Sequence, residues 1–143
     1  MVEVWTDGGC VPNPGVGGWA AIVCVNGKEC QLSGAKQKTT NNEMEFTAIL
    51  NGLEEVARGL STGMSVKPLV SVFSDSQLAI NVLSRKWRCK KPHLQVIVDK
   101  IWATSERLGC VSYQWVPAHS GIPMNERADS LASAAMRKLR RGC

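Results

Sequence analysis

A chain of 143 residues that is 44% hydrophobic and 20% charged suits one folded domain, residues 1–143, and excludes a disordered polyelectrolyte. Its net charge of +5 and pI near 9.0 favour a polyanionic partner, either nucleic acid or an anionic membrane face. The longest apolar run, residues 19–25, falls far short of the roughly 20 that cross a bilayer, and no targeting segment is visible, so the expected location is the cytoplasm.

In chain order, residues 2–6 read as a strand with alternating faces. A turn-rich loop over residues 8–15 follows. Residues 18–25 and 29–35 predict two strands joined by a hairpin turn at Asn26-Gly27. A helix is predicted over 42–59, where Ile49, Leu53, Val56 and Leu60 recur at helical spacing. The run 69–73, apolar except for Ser71, predicts a strand buried on both faces. Helices are predicted over 76–83 and 92–108, a fifth strand over 111–116, and a last helix over 124–139 with a basic end from Arg137. The order β-β-β-α-β-α-α-β-α implies an α/β fold, a mixed sheet with helices on its faces. Residues 61–68 read as a long surface turn rather than a domain boundary. The five tryptophans are expected mostly in the core. The six cysteines include no CxxC pair and are expected to be mostly reduced. Cys24 and Cys30 flank a short turn, so a disulfide across the hairpin is the pairing to test.

Asp7 falls just past the first predicted strand and Asp75 just past the fourth. If those strands are parallel neighbours, both carboxylates emerge at one sheet edge, where open α/β sheets place their ligands. Glu45 shares the helix face of Ile49 and Leu53 and so points toward the sheet. Asp129 lies in the first turns of the last helix, where the dipole favours an acid. Alone, each has an ordinary explanation as a turn or helix acid. Converging without a basic partner, they would repel one another and raise their own pKa values. Such an oxygen-rich cluster calls for Mg²⁺, or Mn²⁺ as a substitute. Two such ions about 3.5–4 Å apart suit phosphodiester cleavage.

The local contexts are specific. Thr6-Asp7-Gly8-Gly9-Cys10 with Asn13-Pro14-Gly15, then Thr39-Thr40-Asn41-Asn42-Glu43-Met44-Glu45, Ser74-Asp75-Ser76-Gln77, and Trp115-Val116 with His119-Ser120-Gly121 and Asn125-Glu126-Arg127-Ala128-Asp129 occur in order across nearly the whole chain. This series resembles type 1 ribonuclease H. The resemblance implies a ribonuclease H-like fold with a five-stranded mixed sheet, three antiparallel strands followed by parallel ones. It implies an endonuclease that cuts the RNA strand of RNA–DNA hybrids, leaving 3′-hydroxyl and 5′-phosphate ends, as in the removal of RNA primers and hybrids in replication and repair. Asp7, Glu45, Asp75 and Asp129 match the family's metal-binding carboxylates, and His119 its mobile-loop histidine, suited to proton transfer or product release. Gly8, Gly9, Cys10, Asn13, Asn41 and Asn42 match groups facing the hybrid's minor groove, where the 2′-hydroxyl marks RNA. Gln77 and Asn125, within the motifs that surround the acids, are expected among the substrate contacts. Thr40 matches a residue that grips a DNA phosphate, with Lys38 as a basic neighbour.

The chain also departs from the family pattern. Many members carry a long basic handle after the third motif. Here only Ser84-Arg85-Lys86-Trp87-Arg88-Cys89-Lys90-Lys91 precedes Pro92. Lys86, Trp87 and Arg88 retain some capacity for phosphate contact and stacking. Glu43 stands where basic or neutral side chains are common, as an extra acid near the metals. A domain derived from a reverse transcriptase is the alternative within the superfamily. A non-catalytic hybrid-binding module would need a missing carboxylate, and none is missing. The expected partner is the hybrid alone, bound by a monomer without membrane or obligate protein partner.

Overall fold

A computed structural model of the chain describes residues 1–61 and 67–142. The elements are strands β1 (Val2–Cys10), β2 (Gly15–Val25) and β3 (Lys28–Thr39), helix α1 (Asn41–Ser61), strand β4 (Leu69–Ser74), helices α2 (Gln77–Leu83) and α3 (Pro92–Leu108), strand β5 (Cys110–Trp115) and helix α4 (Pro123–Gly142). The predicted surface turn over 61–68 lies largely outside the described residues. No helix among the described residues is long and apolar enough to cross a membrane.

The five strands form one sheet in the order β3-β2-β1-β4-β5. β1, β2 and β3 make an antiparallel meander. β4 joins the other side of β1 in parallel, and β5 joins β4 in parallel. The Asn26-Gly27 hairpin forms as expected: both residues take positive φ, 50° and 82°, and Val25 pairs with Lys28. The register also excludes the Cys24–Cys30 disulfide. Cys24 pairs with Glu29 and Cys30 with Val23, so the two thiols are one position out of step on opposite faces, and both are free. Cys10, Cys89 and Cys110 are free as well.

The main core lies between one sheet face and the α1, α2 and α3 layer, built from residues such as Val4, Val72, Ile49, Leu53, Val82, Val98 and Ile101. The other face carries α4, which packs across β1, β2 and β3. That contact is backbone-close: a Cβ on Gly18 would sit 2.3 Å from the Ala132 carbonyl oxygen. An Arg127–Glu29 ion pair at 2.6 Å ties α4 to β3. β4 departs from expectation. It alternates in burial, with Val70 and Val72 buried and Leu69 57% exposed, because α4 does not extend to cover its second face. Phe73 is sheltered there by stacking on Trp5, ring centroids 4.0 Å apart. The tryptophans depart too. None joins the buried core, Trp87 and Trp115 are exposed, and the other three are only partly covered. Their indole N–H groups need partners, and those of Trp102 and Trp115 find backbone carbonyls at Leu83 and Asp75.

Candidate active site

β1 continues to Cys10, so Asp7 lies within the strand rather than beyond it. The extension exists because β2 keeps pairing, with Asp7 opposite Ala20 and Cys10 opposite Gly17. On the β4 side the ladder ends earlier, at Trp5 and Phe73. The offset of 68 residues that pairs Val2 with Val70 also separates Asp7 from Asp75, so the two acids keep the same register two positions past the last paired rung. Glu45, five residues into α1, closes the group from one side. Its approach depends on Gly8, where a Cβ would stand 2.4 Å from the Met44 carbonyl carbon and 2.5 Å from the Glu45 nitrogen.

Carboxylate oxygens of Asp7, Glu45 and Asp75 lie within 4.8 Å of one another. Asp129, from α4, lines the same cavity and adds to the pressure against a charge on Asp7. Burial, then Asp75 and Asp129, push the Asp7 carboxyl up to about 9, with the Gly8 N–H opposing. Burial, then Asp7 and Asp75, raise Glu45 well above the usual carboxylate range. Glu45 Oε1 is buried without a hydrogen-bond partner. A buried, unpaired acceptor facing two more acids has the donor set a hard divalent cation requires, so these residues fit such an ion.

Asp75 is the best-anchored of the four. The buried Asn125 amide donates to Asp75 Oδ2 at 3.3 Å, and the Trp115 indole N–H donates to the Asp75 carbonyl at 3.2 Å. Asn125 is only 3% exposed, so its amide is committed to a carboxylate rather than presented to an incoming ligand. Ser76 caps α2 by accepting from the Ala79 N–H, which starts that helix directly behind Asp75.

The four acids open into a cavity of about 470 Å³ that Gly8, Gly9, Cys10, Asn41 and His119 also line. The Cys10 N–H donates to Asn41 Oδ1 at 2.8 Å and the Asn41 N–H to Asn13 Oδ1 at 3.1 Å, stitching the end of β1 and its turn to the start of α1. His119 is exposed at the rim with φ 53°. Asn42, Trp87 and Arg88 belong to a neighbouring groove of about 450 Å³ between α1, α2 and the start of α3. Lys38 and Thr40 line a third hollow beside Pro14. Gln77 and Lys86 line none of these three. Thr40 also caps α1, its hydroxyl accepting from the Glu43 N–H at 3.2 Å. Glu43 is not part of the acid cluster. It pairs with Lys36 and accepts from Thr39 at 2.9 Å, and these partners outweigh its burial and hold its carboxyl below the usual range.

Ala132, Ser133 and Met136 line the main cavity as well. The sequence reading omitted them, although they follow Asp129 at helical intervals of three, four and seven residues, a periodicity that would have identified them.

The ribonuclease H family model matches residues 1–137. The chain is 38% identical to ribonuclease H of Acidiphilium cryptum, covering 94% of this chain and 86% of the relative. It is 41% identical to that of Nitratidesulfovibrio vulgaris, covering 93% and 87%. The N-terminal ribonuclease H domain of a Mycobacterium tuberculosis protein superposes with TM-score 0.86 at 26% identity, over 99% of this chain and 96% of the other. LC11-RNase H1, crystallised with an RNA/DNA hybrid, gives 0.85 at 25% identity, over 97% and 99%. With the motifs of the sequence gathered around one acidic cavity in a matching fold, the chain belongs to the ribonuclease H family and is a ribonuclease H enzyme.

Proposed function

We infer that the chain is one catalytic domain that hydrolyses the RNA strand of RNA–DNA hybrids at the Asp7–Glu45–Asp75–Asp129 cluster, acting on primers and hybrids left by replication and repair. The observation that carries this reading is the buried, mutually repelling carboxylate group with one unpartnered oxygen on Glu45. Two divalent cations, Mg²⁺ in the first instance, supply charge neutralisation and Lewis acidity when held there. The acids serve as their ligands. Asn125 and Trp115 fix Asp75 through its side chain and backbone respectively. In the reaction, water forms the new bond to phosphorus and the bond to the 3′ oxygen breaks. The 3′ oxygen leaves with a proton as a hydroxyl, and the phosphate stays on the 5′ end. The exposed position of His119 at the rim supports a role in carrying protons between this cavity and solvent.

Substrate choice rests on groups around the acids. The Gly8–Cys10 backbone with Asn13, Asn41 and Asn42 faces the minor groove, where 2′-hydroxyls distinguish RNA. Lys38 and Thr40 hold a DNA phosphate beside the start of α1. Lys86, Trp87 and Arg88 replace the long handle, with Trp87, 49% exposed, available for stacking. The hybrid bound by LC11-RNase H1 supports this class of substrate.

Incubating the protein with labelled hybrid, RNA duplex and DNA duplex, each with Mg²⁺ or with chelator, tests the reading. Cleavage of the hybrid's RNA strand alone, and only with metal, is expected. Equal cleavage of all three substrates would overturn it.

A further inference from the structure

The basic end of α4 is not an isolated tail. Asp129, Ala132, Ser133 and Met136 form one stripe along the wall of the acidic cavity. The next turn extends the same rows: Arg137 stands four residues after Ser133, Arg140 four after Met136, and Arg141 four after Arg137. Arg140 donates to the carbonyl of Val11, itself part of the cavity lining, so the last turn of α4 lies against the rim. Arg137 and Arg141 are exposed beside it. At 1.5 Å per residue, these arginines stand about 12–18 Å along the helix from Asp129. That is roughly four or five base steps at 3.4 Å each.

The wall on the α1 side already adjoins a groove with Arg88, Lys90 and Lys91. The cavity between holds four acids, which repel a phosphate chain until cations are bound. A duplex crossing it therefore needs positive charge on both flanks. On the α4 flank, the Arg137–Arg140–Arg141 turn supplies it.

We propose that this turn is a phosphate-gripping surface that holds the hybrid's backbone four or five base pairs from the cleaved bond, on the side away from the Trp87 groove. The inference rests on the hybrid-cleaving reading above and extends its footprint. Cations at a helix C-terminus also favour the helix itself. The two roles separate experimentally, because a role confined to the helix moves thermal stability and leaves substrate length and salt without effect.

The experiment compares the full-length wild type with Arg137→Ala/Arg141→Ala and Arg137→Lys/Arg141→Lys. The substrates are hybrids with a single cleavable ribonucleotide block and flanks shortened stepwise from either end. Wild-type cleavage of the longest hybrid checks the parent reading, and the variants check this one. For the alanine pair, KM on long hybrids should rise about tenfold at low salt with kcat retained. The logarithmic salt dependence should flatten by about 2, one counterion-release step per lost contact. The deficit should vanish when one flank, and only that flank, is cut below four base pairs. The lysine pair should keep the wild-type KM. A KM deficit independent of flank length overturns the proposal, as does a lowered melting temperature with unchanged KM and salt slope.

Discussion

Asp7→Asn separates the electrostatic cost of the site from its chemistry. Asp7 is 6% exposed, and its carboxyl sits at about 9 in the fold against 3.8 for the free side chain. Without metal, the folded protein therefore keeps a proton there that the unfolded chain releases above about pH 4. The sign follows: between about pH 4 and 9 the native state binds more protons, so metal-free stability falls as pH rises, by about 1.4 kcal/mol per pH unit from this one group. From pH 4 to pH 7 that amounts to as much as about 4 kcal/mol. Asparagine has nearly the same shape and no proton to take up. The variant should lose Mg²⁺-dependent cleavage, yet in chelator it should melt roughly 10 °C above wild type at pH 7. The gap should close toward pH 4. Adding Mg²⁺ should raise the wild-type melting temperature and leave the variant nearly unmoved. Thermal melts at half-unit pH intervals, with and without metal, measure all three effects. A variant that melts at or below wild type at neutral pH, with a parallel pH profile, would refute the argument that Asp7 is held against its own charge.

Three further predictions follow from single contacts. Asn125→Ala leaves Asp75 Oδ2 without its donor and should raise the Mg²⁺ concentration for half-maximal cleavage by about 10–100-fold, read from a metal titration at saturating hybrid. Arg85 closes α2 with φ 64° and stacks its guanidinium 3.8 Å from the Trp102 ring centroid. Arg85→Ala should cost about 1 kcal/mol in denaturant melts, and Arg85→Gly should recover most of it, since glycine takes positive φ without strain. Gly18→Ala places a methyl 2.3 Å from the Ala132 carbonyl oxygen and must push α4 off β2. It should destabilise by about 1–3 kcal/mol and lower kcat more than KM, measured side by side with folding controls.

The gathering of Asp7, Glu45 and Asp75 was legible in the sequence because their positions on predicted strands and a helix, and the motifs around them, point to one sheet edge, although each acid alone has an ordinary explanation. The order of elements and the Asn26-Gly27 turn were legible for local reasons: periodicity and a required positive φ. What was not legible depends on partners distant in sequence. β1 runs three residues past Asp7 only because β2 keeps pairing with it. β4 reads as doubly buried, yet α4 stops short of its second face. Asn125 reads as a substrate contact and is instead turned inward to Asp75, across 50 residues of chain. Glu43 reads as an extra acid near the metals, and Lys36 and Thr39 hold it elsewhere.

These differences converge on how the fold imposes proximity on groups that repel. Shifting β1 by one residue against β4 would send Asp7 to the opposite face of the sheet, since side chains alternate. Asp75 would stay where the Asn125 and Trp115 hydrogen bonds hold it. The acids meet because the 68-residue offset is fixed below them by Val2, Val4, Val70 and Val72, four buried valines of the two central strands. Glu45 and Asp129 arrive from opposite layers through two glycine contacts, Gly8 under α1 and Gly18 under α4. Each layer's packing is thus set against the repulsion it creates. The free energy released by burying apolar surface on both sheet faces holds four carboxyl groups together, and a bound cation relieves the repulsion.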